Sequence, residues 1–164
     1  MNNIQTLLSI GSIGLFSFVS LNFNSAVLQN LSVEVESKVY LTAFSLADDM
    51  IEEIKQKAFD EETITFRSIN PDELTESLYL GPETGESNVT QYDDIDDYDD
   101  YVRPVSLPHA ENYNVTCRVD YVSGSNPGQT SLVQTYFKRV RVTVTSPYLR
   151  NPVTLTQIFT LHSK

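Results

Sequence analysis

The sequence predicts an α+β fold: a long N-terminal α-helix whose apolar half protrudes and whose amphipathic half packs on a C-terminal antiparallel β-sheet. Three observations lead there. Met1 to Leu31 carries no charged side chain and is rich in large apolar residues. Asn30 to Phe59 contains no Gly or Pro, and its apolar residues recur at three- and four-residue steps. From Tyr113 onward, apolar and polar residues alternate with the period of half-buried strands. The expected organisation is an apolar helix over 1–31 and a globular head over 32–164. The head divides into an amphipathic helix (32–59), a variable acidic loop region (60–112) and the sheet (113–164).

The apolar helix comes first. Its large side chains run from Ile4, Leu7, Leu8, Ile10 and Ile13 through Leu15, Phe16, Phe18, Val19, Leu21 and Phe23 to Leu31. Leaving them in water forfeits on the order of 20–40 kcal/mol at roughly 1.5–3 kcal/mol each. A bilayer, a translocation channel or other copies of the chain must cover them. An apolar run of about 20 residues spans a bilayer as a helix. On the insertion scale the strong apolar residues between Ile4 and Phe23 contribute roughly −3 to −7 kcal/mol. Gln5, Asn22 and the serines at 9, 12, 17 and 20 oppose them. Insertion is thus favourable but shallow, which suits a helix that later leaves the membrane. A cleaved secretory signal fits less well, because no Lys or Arg precedes the run and the apolar pattern continues through Asn24-Ser25-Ala26. Gly11 and Gly14 weaken a helix interior by roughly 1 kcal/mol each, yet small residues let helix backbones approach. The residues expected to carry assembly are Ile4, Leu7, Leu8, Gly11, Gly14, Leu15, Phe16, Phe18, Val19 and Phe23.

The helix is expected to continue to Phe59. Val39, Ala43, Leu46, Ala47, Met50, Ile54 and Ala58 lie on one face, and Glu53 and Lys57 stand at a favourable i,i+4 spacing. Glu62 to Ile69 reads as a short strand, Pro71 to Leu80 as one or two helical turns, and Gly81 to Glu86 as a loop. Tyr113–Tyr121, Arg139–Thr145 and Val153–Leu161 then form an antiparallel meander with its apolar face on the helix.

The acidic run is the one chemical candidate. Asp93, Asp94, Asp96, Asp97, Asp99 and Asp100 place six carboxylates in eight residues. Ca²⁺ takes six to eight oxygen ligands, so the run reads either as a solvated acidic loop or as a Ca²⁺ site. Interleaved Tyr92, Ile95, Tyr98 and Tyr101 would tuck one side against the sheet. Arg118, Lys138, Arg139, Arg141 and Arg150 offer the run cationic partners, in its own subunit or in another. No apolar pocket that would raise a carboxyl pKa is evident around it.

At this point the chain resembles a known family. A long N-terminal helix, apolar and then amphipathic, followed by a variable loop and a C-terminal antiparallel sheet, is similar to the layout of type IV pilins and pseudopilins. Leu46-Ala47-Asp48-Asp49-Met50-Ile51-Glu52-Glu53-Ile54-Lys55 and the acidic run before the sheet also look like bacterial pilin-like proteins. The family's processing motif, Gly then Phe with Glu five residues into the mature chain, has no counterpart, and Gln5 is the nearest polar residue. The resemblance implies a structural subunit that polymerises through its apolar helix into a surface filament or pseudopilus. It would reside in the cytoplasmic membrane first, and inner-membrane assembly machinery would place it. The alternative is a monomeric, membrane-anchored extracytoplasmic module for binding or adhesion.

Composition bounds the rest. A net charge of −11 argues against nucleic acid as a partner. The single cysteine, Cys117, falls on an apolar strand face and reads as a buried thiol. Of the glycosylation triplets at Asn30, Asn88 and Asn114, only Asn88 stands in a loop. His109 and His162 have no nucleophile or metal-ligand spacing around them, so no enzyme is expected and no cofactor beyond Ca²⁺.

Overall fold

The computed structural model describes residues 3–65, 70–107 and 110–161. The fold is α+β, with helix α1 over Asn3–Ile54, helix α2 over Glu61–Thr65 and four strands. These are β1 (Val102–Leu107), β2 (Ala110–Tyr121), β3 (Phe137–Thr145) and β4 (Val153–Thr160), in the order β1-β2-β3-β4. All neighbours are antiparallel. The chain divides into two compact units, 1–38 and 39–164.

In the first unit every described residue of the helix is exposed. Its polar side chains turn back onto the helix itself. Ser9 Oγ donates to the Gln5 carbonyl at 2.9 Å, Ser12 Oγ to the Ser9 carbonyl at 2.9 Å, and Asn22 Nδ2 to the Phe18 carbonyl at 2.8 Å. A helix in an apolar medium needs such internal satisfaction, because no water is there to supply it. At its polar end Lys38 pairs with Glu34 at 2.7 Å.

In the second unit the helix residues Ala43, Ala47, Met50, Ile51 and Ile54 are buried in one core with Tyr113, Val115, Cys117, Val119 and Tyr121 of β2 and Val140, Val142 and Val144 of β3. Strand parity builds that face. The register sets Val115 against Val144, Cys117 against Val142, Val119 against Val140 and Tyr121 against Lys138. Each fully buried valine contributes about 1.5–3 kcal/mol. Tyr113 reaches the helix, donating its hydroxyl to the Val39 carbonyl at 3.2 Å.

Several elements differ from expectation. The helix ends at Ile54, not Phe59. Gln56 N–H bonds the Glu53 carbonyl and Lys57 N–H the Ile54 carbonyl, tightening the last turn. Ala58 N–H then turns to the Asp93 carbonyl at 2.9 Å, so the chain leaves the helix to pair with the acidic run. Glu53 does not pair with Lys57. It accepts from Arg103 at 3.0 Å and from the Tyr98 hydroxyl at 2.9 Å, while Lys57 donates to the Tyr92 carbonyl. In place of a strand from Glu62 stands α2, because Asp60 acts as its N-cap. The Asp60 side chain accepts from Glu62 N–H, and Glu61 and Glu62 occupy the first turn, where the helix dipole favours them. Residues 66–69 of that expected strand lie outside the described residues. The expected helical turns over 71–80 shrink to one 3-10 turn, Pro71–Glu73. The sheet begins at Val102 rather than Tyr113. Pro104 and the Val105–Leu107 irregularity obscure the alternation that would announce β1.

Candidate functional site

The acidic run is not a solvated loop. Asp94, Asp96 and Asp97 are fully buried, Asp99 is half-buried, and only Asp93 and Asp100 are exposed. Three sets of contacts hold it inside. Ala58 pairs with Asp94 as an isolated parallel bridge. Cys117 N–H donates to the Tyr101 carbonyl at 2.9 Å, and Val119 N–H to Asp99 Oδ1 at 2.8 Å, stitching the run's end to β2. Tyr92, Tyr98 and Tyr101 stack edge to face with centroids 5.2–5.7 Å apart. The expected tucking by Tyr92, Ile95, Tyr98 and Tyr101 at three-residue steps occurs, the first three buried in the core and Tyr101 half-buried against it. Asp100, at φ 58°, completes the turn into β1, a conformation aspartate tolerates better than most residues.

Within this fold the carboxylates have two different sides. Asp94 Oδ1 accepts from the backbone N–H groups of Asp96 and Asp97 at 2.8 and 3.2 Å. Asp97 Oδ2 accepts from those of Asp93 and Asp94 at 2.8 and 3.1 Å. Asp96 Oδ1 pairs with Lys138 Nζ. The second oxygens, Asp94 Oδ2, Asp96 Oδ2 and Asp97 Oδ1, are buried with no hydrogen-bond partner, and Glu83 Oε2 shares that condition. Glu83 arrives on a loop that Gly81 and Gly85 bend at φ 132° and 121°, values a side chain would strain. Oxygens of Glu83, Asp94 and Asp96 lie within 4.8 Å of one another, as do those of Glu83, Glu86 and Asp97.

Lys138 is the cation of the neighbourhood. It is fully buried, donates to the Phe59 carbonyl at 2.8 Å and to Asp60 Oδ2 at 2.7 Å, and stands 4.9 Å from the Phe59 ring centroid. Asp60 is saturated, with bonds from Thr75 N–H and Oγ1 and from the Tyr121 hydroxyl. Of the other expected basic partners, Arg118 meets Asp99 at 3.7 Å and Asp100 at 2.5 Å. Arg139 and Arg141 instead turn to Asp120.

Burial pushes these carboxyls up, contrary to the expectation of no such pocket. Asp94 rises to about 9, first through desolvation and then through Asp96, against the opposing pull of Lys138. Glu83 rises to about 8 through desolvation, then Glu86 and Asp97. Asp96 and Asp97 are also raised, burial leading in both. The sign for stability follows. Groups raised above the unfolded value near 4 take up protons on folding, so they favour the fold at low pH and stop doing so as pH climbs toward 8–9. In chelator-treated buffer the unfolding temperature should therefore drop by roughly 5–10 °C from pH 5 to pH 8. Scanning calorimetry at the two pH values checks this, and a higher midpoint at pH 8 would contradict it.

The expected set of six aspartates thus splits. Asp94 and Asp96 meet Glu83 in one group and Asp97 meets Glu83 and Glu86 in another, whereas Asp93 is exposed and Asp99 and Asp100 face Arg118. Glu83, Glu86 and Asp60 were missed, whereas Lys138, expected as one basic partner among five, does meet the run at Asp96 but from a fully buried position. Lys138 had a signal, since the inward face of Val140, Val142 and Val144 runs back to it by steps of two. Glu83 and Glu86 had none, being brought in by a loop. Cys117 is buried and its thiol is pushed up to about 12, chiefly by desolvation, so it stays protonated as expected. Asn88 is exposed on its loop. His109 and His162 lie outside the described residues. The residues expected to carry assembly, from Ile4 to Phe23, are exposed along a helix that is long and apolar enough to cross a membrane. Comparison with protein-family profiles, with curated proteins and with solved structures finds no match.

Proposed function

We propose that this chain is a structural subunit that self-assembles through its N-terminal apolar helix into an extracellular pilus-like filament or pseudopilus. One observation carries the reading. Large apolar side chains from Ile4 to Leu31 stand open, with Leu7 75 % and Phe16 74 % exposed, while residues from Val39 onward close a core of their own. Apolar area on this scale needs a permanent cover, and parallel copies of the same helix supply one after the bilayer has supplied the first. Gly11 and Gly14 add support. A Cβ at either would meet nothing within 4 Å, so nothing in this chain itself asks for glycine there. Close approach of a neighbouring helix backbone would. The subunit would wait in the cytoplasmic membrane, be extracted by inner-membrane assembly machinery and end at the cell surface.

The test is negative-stain microscopy of material sheared from cells that express the full chain, beside cells that express a variant lacking residues 1–31. Filaments from the first and a dispersed soluble protein from the second are expected. Full-length protein that stays in membranes without filaments would transfer the reading to a monomeric anchored module for binding or adhesion.

A further inference from the structure

Lys138 is held between two aspartates, and the three side chains have no solvent exposure. Its Nζ lies 2.7 Å from Asp60 Oδ2 and against Asp96 Oδ1. The rings of Phe59 and Tyr121 close over it, with centroids 4.9 and 5.3 Å from the nitrogen. Charges are costly to keep in such a place. The two aspartates are not alike. Asp60 accepts from Thr75 N–H and Oγ1, from Glu62 N–H and from the Tyr121 hydroxyl at 3.0–3.3 Å. Both of its oxygens therefore serve as acceptors, the role of a carboxylate. Asp96 keeps one oxygen, Oδ2, without a partner, and burial pushes its carboxyl toward the neutral acid, against the pull of Lys138. An amine, a carboxylate and an acid are thus packed together with water shut out.

We propose that Lys138 and Asp96 condense inside the folded chain into an isopeptide bond, with Asp60 moving the protons. The ammonium passes one proton to Asp60 Oδ2. The freed lone pair on Nζ attacks Asp96 Cγ, and a C–N bond forms. A second proton goes from the nitrogen to the departing hydroxyl of Asp96 by way of Asp60, which takes one proton and gives one. The C–O bond breaks and one water leaves. An ammonium, a carboxylate and a neutral acid become an amide, a neutral acid and a water, so atoms and charge balance without any co-reactant. Asp60 is the poorer target, because attack there would add negative charge to a group that already carries it. The fold supplies what a free amine and a free acid lack in water. Contact in one fixed geometry replaces an encounter, and the buried charges are gone from the product. Asp96 opens the 3-10 turn Asp96–Tyr98 and Lys138 lies on β3, 42 residues later. The bond would fasten the acidic run to the third strand across the loop that contains β1 and β2. Until it closes, the ion pairs of Lys138 hold the same elements together. The chemistry is independent of how residues 4–31 are covered.

The test is intact mass spectrometry of the full chain in detergent, incubated at neutral pH for several days. The parent should become one water lighter than its sequence, whereas Lys138→Met, which has no amine to offer, should stay at full mass. Trypsin should fail to cleave after Lys138 and should release a branched peptide that joins residues 96 and 138. The unfolding midpoint should climb by about 10 °C as the water is lost, because the closed loop restricts the unfolded chain. Asp96→Asn should lose one ammonia in place of the water, since an amide is attacked in the same way. Asp60→Asn, which has no base, should close at least about tenfold more slowly. Ammonia lost from Asp60→Asn instead would overturn the assignment of target and base. A parent that stays at full mass would overturn the bond itself. So would a parent that loses water but yields linear peptides only, the result of an aspartate closing on its own backbone. The parent's mass and its branched peptide need no variant to fold.

Discussion

Replacing Lys138 by Met is expected to destabilise the unit from Val39 onward by about 3–5 kcal/mol, the usual cost of leaving a buried charge without its partner. Lys138 and both carboxylates that it meets, Asp60 and Asp96, have side chains with no solvent exposure. Met keeps most of the volume and the contact with the Phe59 and Tyr121 rings, so packing loss is small. The loss is that of the ammonium, which leaves Asp60 and Asp96 facing one another in a dry interior. Against a total stability of about 5–15 kcal/mol, this is a large fraction, and the unfolding midpoint should fall by 10 °C or more. Lys138→Ala should cost more still, by the added cavity. Urea titration of the metal-free protein reads both. A Lys138→Met variant within about 1 kcal/mol of the parent would show that the ammonium is not the group that neutralises this neighbourhood. Adding Asp60→Asn to Lys138→Met should recover part of the loss, since one of the two stranded charges is then removed.

Lys138 also marks the line between what was legible in the chain and what was not. Periodicity reports which face a residue occupies, so Ala43, Ala47, Met50, Val115, Val140 and Val144 could be placed in the core from spacing alone. The same arithmetic places Lys138 in that core, but a lysine is read as surface unless an acid is known to await it. The acids that await it, Asp60 and Asp96, lie 78 and 42 residues away in sequence. Asp60 had no signal, because its role as cap to α2 and anchor to Thr75 and Tyr121 is tertiary. The acidic run shows the opposite failure. Six aspartates suggest water, yet the tyrosines among them bury the run, and burial turns solvated charge into raised pKa values. The helix end was misjudged for a similar reason. Residues 55–59 keep helical spacing, but pairing of Ala58 with Asp94 outweighs the propensity of little more than one turn.

Placing one carboxylate at the middle of the apolar segment, as Leu15→Asp, should largely remove the chain from membranes and abolish filaments. The insertion balance makes the effect large. Between Ile4 and Phe23 the apolar side chains supply roughly −3 to −7 kcal/mol, before Gln5, Asn22 and the serines take their share. An aspartate at a helix centre costs about 2.5–3.5 kcal/mol, and the leucine's own contribution is forfeited with it. The swing of about 3–4 kcal/mol brings the balance to about zero, since the margin was shallow. A long purely aliphatic anchor would survive the same change, so sensitivity to one charge is itself informative. Leu41→Asp is the matched control. Leu41 is 65 % exposed, and it lies on the helix beyond the apolar run, within the second unit. Its charge should leave both partition and assembly unchanged. Carbonate extraction of membranes, with microscopy of the sheared fraction, reads the two outcomes together. Leu15→Asp protein that still resists extraction would mean that the insertion margin is well above the shallow balance reckoned here. If it resists extraction and also forms filaments, the cover for residues 4–31 must be one that tolerates charge, and the apolar helix would lose its place as the element that drives assembly.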